Sequence, residues 1–277
     1  MKLASPTSPT CIRLPRSAFI LVAALMLAPV ARSQDKPPDY PKKPIRVIVG
    51  IAPGGGLDNM VRLGAQKLVE RWGQPVIVDN RSGAGGNVGS DLVAKSPPDG
   101  YTLLLGTIGT NAINAAIYSK MPYNARTDFA PVTIVANAYL MLVMHPSVPV
   151  RTVKELVALA KANPGKLNYG SAGAGTTPHM AGGMFQAFAG VTMTHIAYKG
   201  SPQSTIDLMA GRLDLIFANP ATSLPHIRAG KLRVLAITAG RRDPATPDIP
   251  AVAETVPGFE MGYMLTCLGE WVWKLGE

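Results

Sequence analysis

The chain has almost no cysteine. Only Cys11 and Cys267 occur among 277 residues, so neither a disulfide framework nor a cysteine zinc site can organise the fold. Aromatic residues are scarce at 6%. The bases are scattered, with Lys42-Lys43 and Arg241-Arg242 the sharp pairs, and no basic stripe interleaves with aromatics. Nucleic acid is therefore excluded as a partner. The four histidines, His145, His179, His195 and His226, show no i, i+4 ligand spacing, so no metal site is expected. One apolar run exists, Ala18 to Val30, and its 13 residues are too few to span a bilayer.

That run has the layout of an export signal. Lys2, Arg13 and Arg16 precede it, and Ala31-Arg32-Ser33 offers small residues before Gln34. Residues 1–33 are expected to be a signal peptide cleaved near Ser33/Gln34, and the product to reach the periplasm. Cys11 leaves with it, and the mature balance is 23 basic against 17 acidic residues. A mildly positive field of this kind helps steer anions.

The full chain is rich in glycine (28) and proline (25), and beyond the expected signal strand patterns alternate with helical ones. Ile45–Ile51 reads as a buried strand, and Leu57, Met60, Val61, Ala65, Leu68 and Trp72 make a helical stripe. Val76–Val78 and Tyr101–Leu105 are expected strands, with short helices over Asn87–Lys95 and Ala112–Tyr118. Tyr139–Met144 is the next strand. Thr152 with Glu155 forms a capping box that opens a helix ended by Pro164-Gly165. Strands over Lys166–Tyr169, Thr192–Ala197, Leu213–Phe217 and Leu232–Thr238 then alternate with helices over Pro178–Ala189, Pro202–Ala210 and Ala221–Ala229. The pattern predicts an α/β fold with parallel sheets covered on both faces.

Three loops carry the candidate chemistry. Ala52-Pro53-Gly54-Gly55-Gly56-Leu57-Asp58 joins the first strand to the first helix, where unpaired amides and the helix dipole suit an anion. Gly170 to His179 repeats the arrangement, with Thr177 as expected N-cap and Pro178 in the first turn. Gly106-Thr107-Ile108-Gly109-Thr110-Asn111 follows a buried strand and is placed to line the same cleft. The expected ligand-binding residues are Ala52, Gly54, Gly55, Gly56, Asp58, Thr107, Thr110, Ser171, Gly173, Gly175, Thr176 and His179. Asp58 is read as holding waters, accepting a ligand amine or capping its helix; His179 as a residue that orients its loop. Catalysis is not expected: Ser171 lacks the Gly-x-Ser-x-Gly elbow because Tyr169 fills the first glycine's place, and Asp207 and Asp214 sit at element ends.

In order along the chain, YPKKPIRVIV, APGGGLD, VDNRSGAGGNVGSD, PPDGYTLLLGT, APVTIVA, HPSVPVRTVKEL, NPGKLNYGSAGAGTTPHMAG, AYKGSPQ, LPHIRAGKLRVLAIT and PDIPAVAE resemble the periplasmic substrate-binding proteins of tripartite tricarboxylate transporters, the TctC/Bug family. The resemblance runs from about Tyr40 to Gly262. It implies a two-lobed periplasmic-binding-protein fold of type II-like form, with hinge strands and a ligand cleft between the lobes. Lobe one is expected over 40–136 plus 239–277, and lobe two over 137–238. The ligand implied is a small carboxylate, held by backbone N–H groups and bridging waters rather than by an arginine. The partners implied are membrane permease subunits, with the protein itself a monomer and no cofactor. The same clamp would also serve a periplasmic sensing partner of a membrane receptor, and an enzyme on a small anionic substrate is the remaining alternative.

Leu57 stands where the family usually has Thr or Ser, and Ala218 where Asp is frequent. From Tyr263 to Glu277, with Trp271 and Trp273 two apart beside Leu268 and Val272, the chain is expected to depart from the family, in a pattern with neither a helical stripe nor a normal turn. Lobe one would then be incomplete and the chain less stable than a full-length relative.

Overall fold

The computed structural model describes residues 40–270. The expected signal peptide and the residues from Trp271 onward lie outside them. From Pro41 onward the chain forms one compact unit built on two five-stranded sheets.

The first sheet has the order β2-β1-β3-β10-β4. Its strands are β1 (Ile45–Val49), β2 (Val76–Asn80), β3 (Thr102–Thr107), β4 (Phe129–Tyr139) and β10 (Gly262–Glu270). The second has the order β7-β6-β8-β5-β9: β5 (Met141–Met144), β6 (Asn168–Ser171), β7 (Thr194–Ala197), β8 (Leu215–Ala218) and β9 (Arg233–Ile237). The helices are α1 (Gly56–Trp72), α2 (Asn87–Ala94), α3 (Asn114–Ile117), α4 (Val153–Ala162), α5 (Thr177–Ala189), α6 (Ser201–Met209) and α7 (Pro220–Arg228). A π-helical turn, Gly109–Ile113, precedes α3.

The sheets are mixed rather than parallel. In each, three parallel strands are followed by an antiparallel one: β10 beside β3, and β5 beside β8. These antiparallel strands are those that enter from the other sheet. The chain leaves the first sheet at Tyr139, past the expected boundary at 136, and a single residue, Leu140, separates β4 from β5. The strand expected over Tyr139–Met144 covers the last residue of β4 and all of β5, and residues 129–138 of β4 lie outside it. On the return, Ile249–Phe259 stays with the second sheet. Ala251 bridges Ile237, and the Phe259 ring meets Phe185 of α5 edge-on at 6.2 Å. The chain therefore rejoins the first sheet at Gly262, not at 239. Fully buried Thr238 ties the two crossings together: its Oγ1 accepts from Leu140 N at 2.8 Å and donates to Met261 O at 2.5 Å.

The expectation that the chain departs from the family's build from Tyr263 onward is corrected for Tyr263 to Glu270. These residues are β10, seated between β3 and β4. Tyr263, Leu265 and Leu268 are buried, as hydrophobic-core positions require. Register shifts after Leu265 and after Cys267 break the two-residue alternation, which is why the strand does not announce itself in the sequence.

Local signals fix the helices. The Thr152 hydroxyl accepts from Glu155 N at 3.2 Å, and the Glu155 carboxylate reaches back to Arg151 N, one residue before the cap. Thr176, not Thr177, is the N-cap of α5, so Thr177 becomes a first-turn residue. Three apolar clusters fill the interior, the largest running from Ile45 and Val49 through Leu142, Phe185 and Phe217 to Leu265.

Candidate functional site: a cleft without side-chain charge

A cavity of about 790 Å³, its mouth included, opens between the two sheets. The amino ends of three helices reach its wall: Gly56-Leu57 of α1, Thr177-Pro178 of α5 and Ser201 of α6; Asn219, the N-cap of α7, joins them. Each helix start has amides with no partner inside its own helix and the positive end of its dipole. Among the described residues, no Asp, Glu, Lys, Arg or His lines the cavity.

Most polar side chains on the wall are already engaged. Ser90 Oγ donates to Gly86 O at 3.1 Å, Thr110 Oγ1 to Thr107 O at 3.1 Å, and Thr176 Oγ1 to Gly173 O at 2.6 Å. Asn219 Oδ1 accepts from Ala221 N at 2.8 Å, while its Nδ2 donates to the Tyr263 hydroxyl across the cleft. Burial pushes the Tyr263 phenol up to about 12, against the Asn219 hydrogen bond, so it keeps its proton. Two hydroxyls remain free of partners. Thr177 is only 7% exposed, yet among the described residues its hydroxyl makes no hydrogen bond, and the Ser201 hydroxyl makes none either.

Of the residues expected from the sequence, Gly56, Thr107, Thr110 and Thr176 line the cavity. Ala52, Gly54, Gly55, Asp58, Ser171, Gly173, Gly175 and His179 belong to the same loops and helix starts but do not line it. Asp58 is buried at 2% exposure and accepts from Gly54 N, Arg62 Nε and Asn80 Nδ2, each at 2.9 Å. Burial alone would raise its pKa, but the hydrogen bonds from Arg62, Gly54 and Asn80 hold it below the ordinary carboxylate range. Its carboxylate is thus a brace for the glycine loop.

The second loop has its own support. Ser171 Oγ lies 2.7 Å from His195 Nε2, and Gly175 N donates to His179 Nδ1 at 3.2 Å. The two imidazoles stack at 4.2 Å, and His195 also stacks on Tyr169 at 4.9 Å. Burial lowers both pKa values; with His179 beside it, His195 falls to about 4. Both rings are therefore neutral at neutral pH, which lets His179 Nδ1 accept.

The lobes touch directly around the cleft. Tyr118 Oη donates to Ala174 O at 3.1 Å. A Cβ on Gly56 would lie 2.4 Å from Asn219 Cγ, so only glycine fits that contact.

Thr177, Ser201, Asn219 and Tyr263 were not singled out from the sequence. Thr177 was legible as a helix-start hydroxyl but was assigned to capping. Tyr263 comes from a strand that enters from a remote part of the chain, and no local signal marks it.

Residues 60–268 match the family described as tripartite tricarboxylate transporter family receptor, TctC. Two curated relatives are a UPF0065 protein from the tcbD-tcbE intergenic region of a Pseudomonas species and Protein BugT of Bordetella pertussis. The first is 39% identical over 80% of this chain and the second 38% over 78%; in both cases 66% of the relative is covered. The chain thus spans about two thirds of the length of these relatives. Among solved structures, R. palustris Rpa4515 with adipate shares 37% identity at a TM-score of 0.82. Periplasmic binding protein BugD shares 31% at 0.80, and MatC of Rhodopseudomonas palustris with bound malate 28% at 0.79. These three alignments cover 84%, 84% and 83% of this chain and 78%, 78% and 79% of theirs. The match includes Tyr263 to Leu268, which the sequence reading placed outside the resemblance. On the matched residues and the shared two-lobed fold, the chain belongs to the TctC family of tripartite tricarboxylate transporter receptors.

Proposed function

We propose that this chain is a periplasmic solute-binding receptor that captures a small organic carboxylate and passes it to the permease of a tripartite tricarboxylate-type transporter. The observation that carries the reading is the cleft itself, where helix amino ends and two unpaired hydroxyls converge and no side-chain charge intervenes. Amides and hydroxyls are the donors a carboxylate needs, and charge-assisted hydrogen bonds contribute about 1.5–3 kcal/mol each. The relatives solved with adipate and with malate support the same ligand class.

In this reading Gly56, Thr107, Thr110 and Thr176 meet the ligand or its waters. Ala52, Gly54, Gly55, Asp58, Ser171, Gly173, Gly175 and His179 hold the loops that present them. The receptor acts as a monomer without turnover. The wall supports binding over catalysis, because its one titratable group among the described residues, Tyr263, stays protonated.

A thermal-shift screen of the purified chain against mono-, di- and tricarboxylates tests this. A cognate acid at 100 times its Kd is expected to add about 2.7 kcal/mol of stability. No shift with any acid would remove the proposal.

A further inference from the structure

Resting on the reading that the cleft takes a small carboxylate, we infer that the preferred acid carries one carboxylate on an apolar body, and that Leu57 sets this preference. The wall is unequal. At the start of α5 and α6 lie the unpaired hydroxyls of Thr177 and Ser201 beside first-turn amides. Elsewhere Val49, Ile51, Leu57, Leu105 and Leu140 line the cavity, and these five belong to a single packed apolar cluster. Leu57 holds a double position. Its amide belongs to the helix start, whereas its side chain extends the apolar wall up to it.

The engaged hydroxyls sharpen the asymmetry. Ser90 and Thr110, which would otherwise offer donors on the first-lobe side, give their protons to Gly86 O and Thr107 O. Thr107 Oγ1 already accepts from Thr110 N, and Tyr263 Oη from Asn219 Nδ2. Each keeps one O–H proton, so away from the helix starts the first-lobe wall offers at most these two hydroxyl donors and no side-chain cation. An ion pressed on the leucine wall without partners loses its hydration and gains nothing for it, whereas methylene and aromatic carbon gain from the same contact.

Calorimetric titration of the full chain with three matched pairs decides the matter: butanoate and succinate, hexanoate and adipate, benzoate and terephthalate. In the pairs that bind, the monoacid is expected to bind at least tenfold tighter. In Leu57→Thr, which adds a hydroxyl at the wall, the ratio is expected to fall below threefold. Leu57→Val keeps the wall apolar and keeps the ratio; melting curves of both variants show that they are folded. A diacid that binds as tightly as its monoacid would overturn the inference and leave carboxylate capture standing. An unchanged ratio in folded Leu57→Thr would overturn the role of Leu57. Failure of every acid to bind the folded chain would overturn the underlying reading, and this inference with it.

Discussion

Gly55 and Gly175 look alike in sequence, each in a small-residue loop ahead of a helix. Their surroundings differ. A Cβ on Gly55 would meet nothing closer than 3.8 Å, and its backbone is ordinary extended chain. Gly175 has φ +81, and a Cβ there would lie 2.2 Å from Asn114 Oδ1 of the first lobe. Glycine is demanded at 175 by conformation and by the close approach of the lobes. Gly175→Ala is therefore expected to weaken ligand binding at least tenfold, about 1.4 kcal/mol, while Gly55→Ala changes it less than twofold. Equal losses in calorimetry would show that the contact with Asn114 is unimportant. His195 gives a pH signature. Its folded pKa of about 4 lies below its ordinary 6.5, so between these values the unfolded chain binds the extra proton. Stability linked to this group is then full above pH 6.5 and lost as pH falls toward 4. The groups against the ring are His179, Tyr169 and Ser171. Urea midpoints at pH 7 and pH 5 are expected to differ less in His195→Asn than in the wild type. An identical pH dependence would remove His195 from the account.

The strands and helices whose apolar positions keep a regular period were legible. The α1 stripe lands within one residue of the helix, Gly56–Trp72, and the Thr152 cap opens α4 where the sequence places it. Two elements escaped. β4 is an edge strand, and Val132, Ile134 and Val135 are all exposed, so it shows no in-out alternation. β10 is interrupted by two register shifts, and its place between β3 and β4 is a long-range fact that no local pattern contains. Its importance is testable. Leu265 is fully buried, and Leu265→Ala is expected to cost about 2–5 kcal/mol, read as a lower urea midpoint with an unchanged slope. A cost below about 1 kcal/mol would mean that the strand is not integral to the first sheet. The site was partly legible for the same reason: the loops after β1, β3 and β6 advertise themselves through glycine and hydroxyl content, whereas Tyr263 and Asn219 reach the cleft only through tertiary structure.

At the scale of the whole molecule, the two lobes share one construction, three parallel strands and an antiparallel strand that crosses from the other lobe. The crossings converge on Thr238, Leu140 and Met261, and the helix starts meet across the cleft between them. On the proposed reading, an arrangement of this kind attracts an anion with helix amino ends and hydroxyls rather than with side-chain charge. Its most direct test is calorimetry of the full chain with a carboxylate that binds and with the uncharged amide of the same acid, equal in shape but without charge. The account predicts that the acid binds at least a hundredfold tighter than the amide, about 2.7 kcal/mol. Equal affinity for the two would contradict it, because a cleft indifferent to that charge is not an anion site.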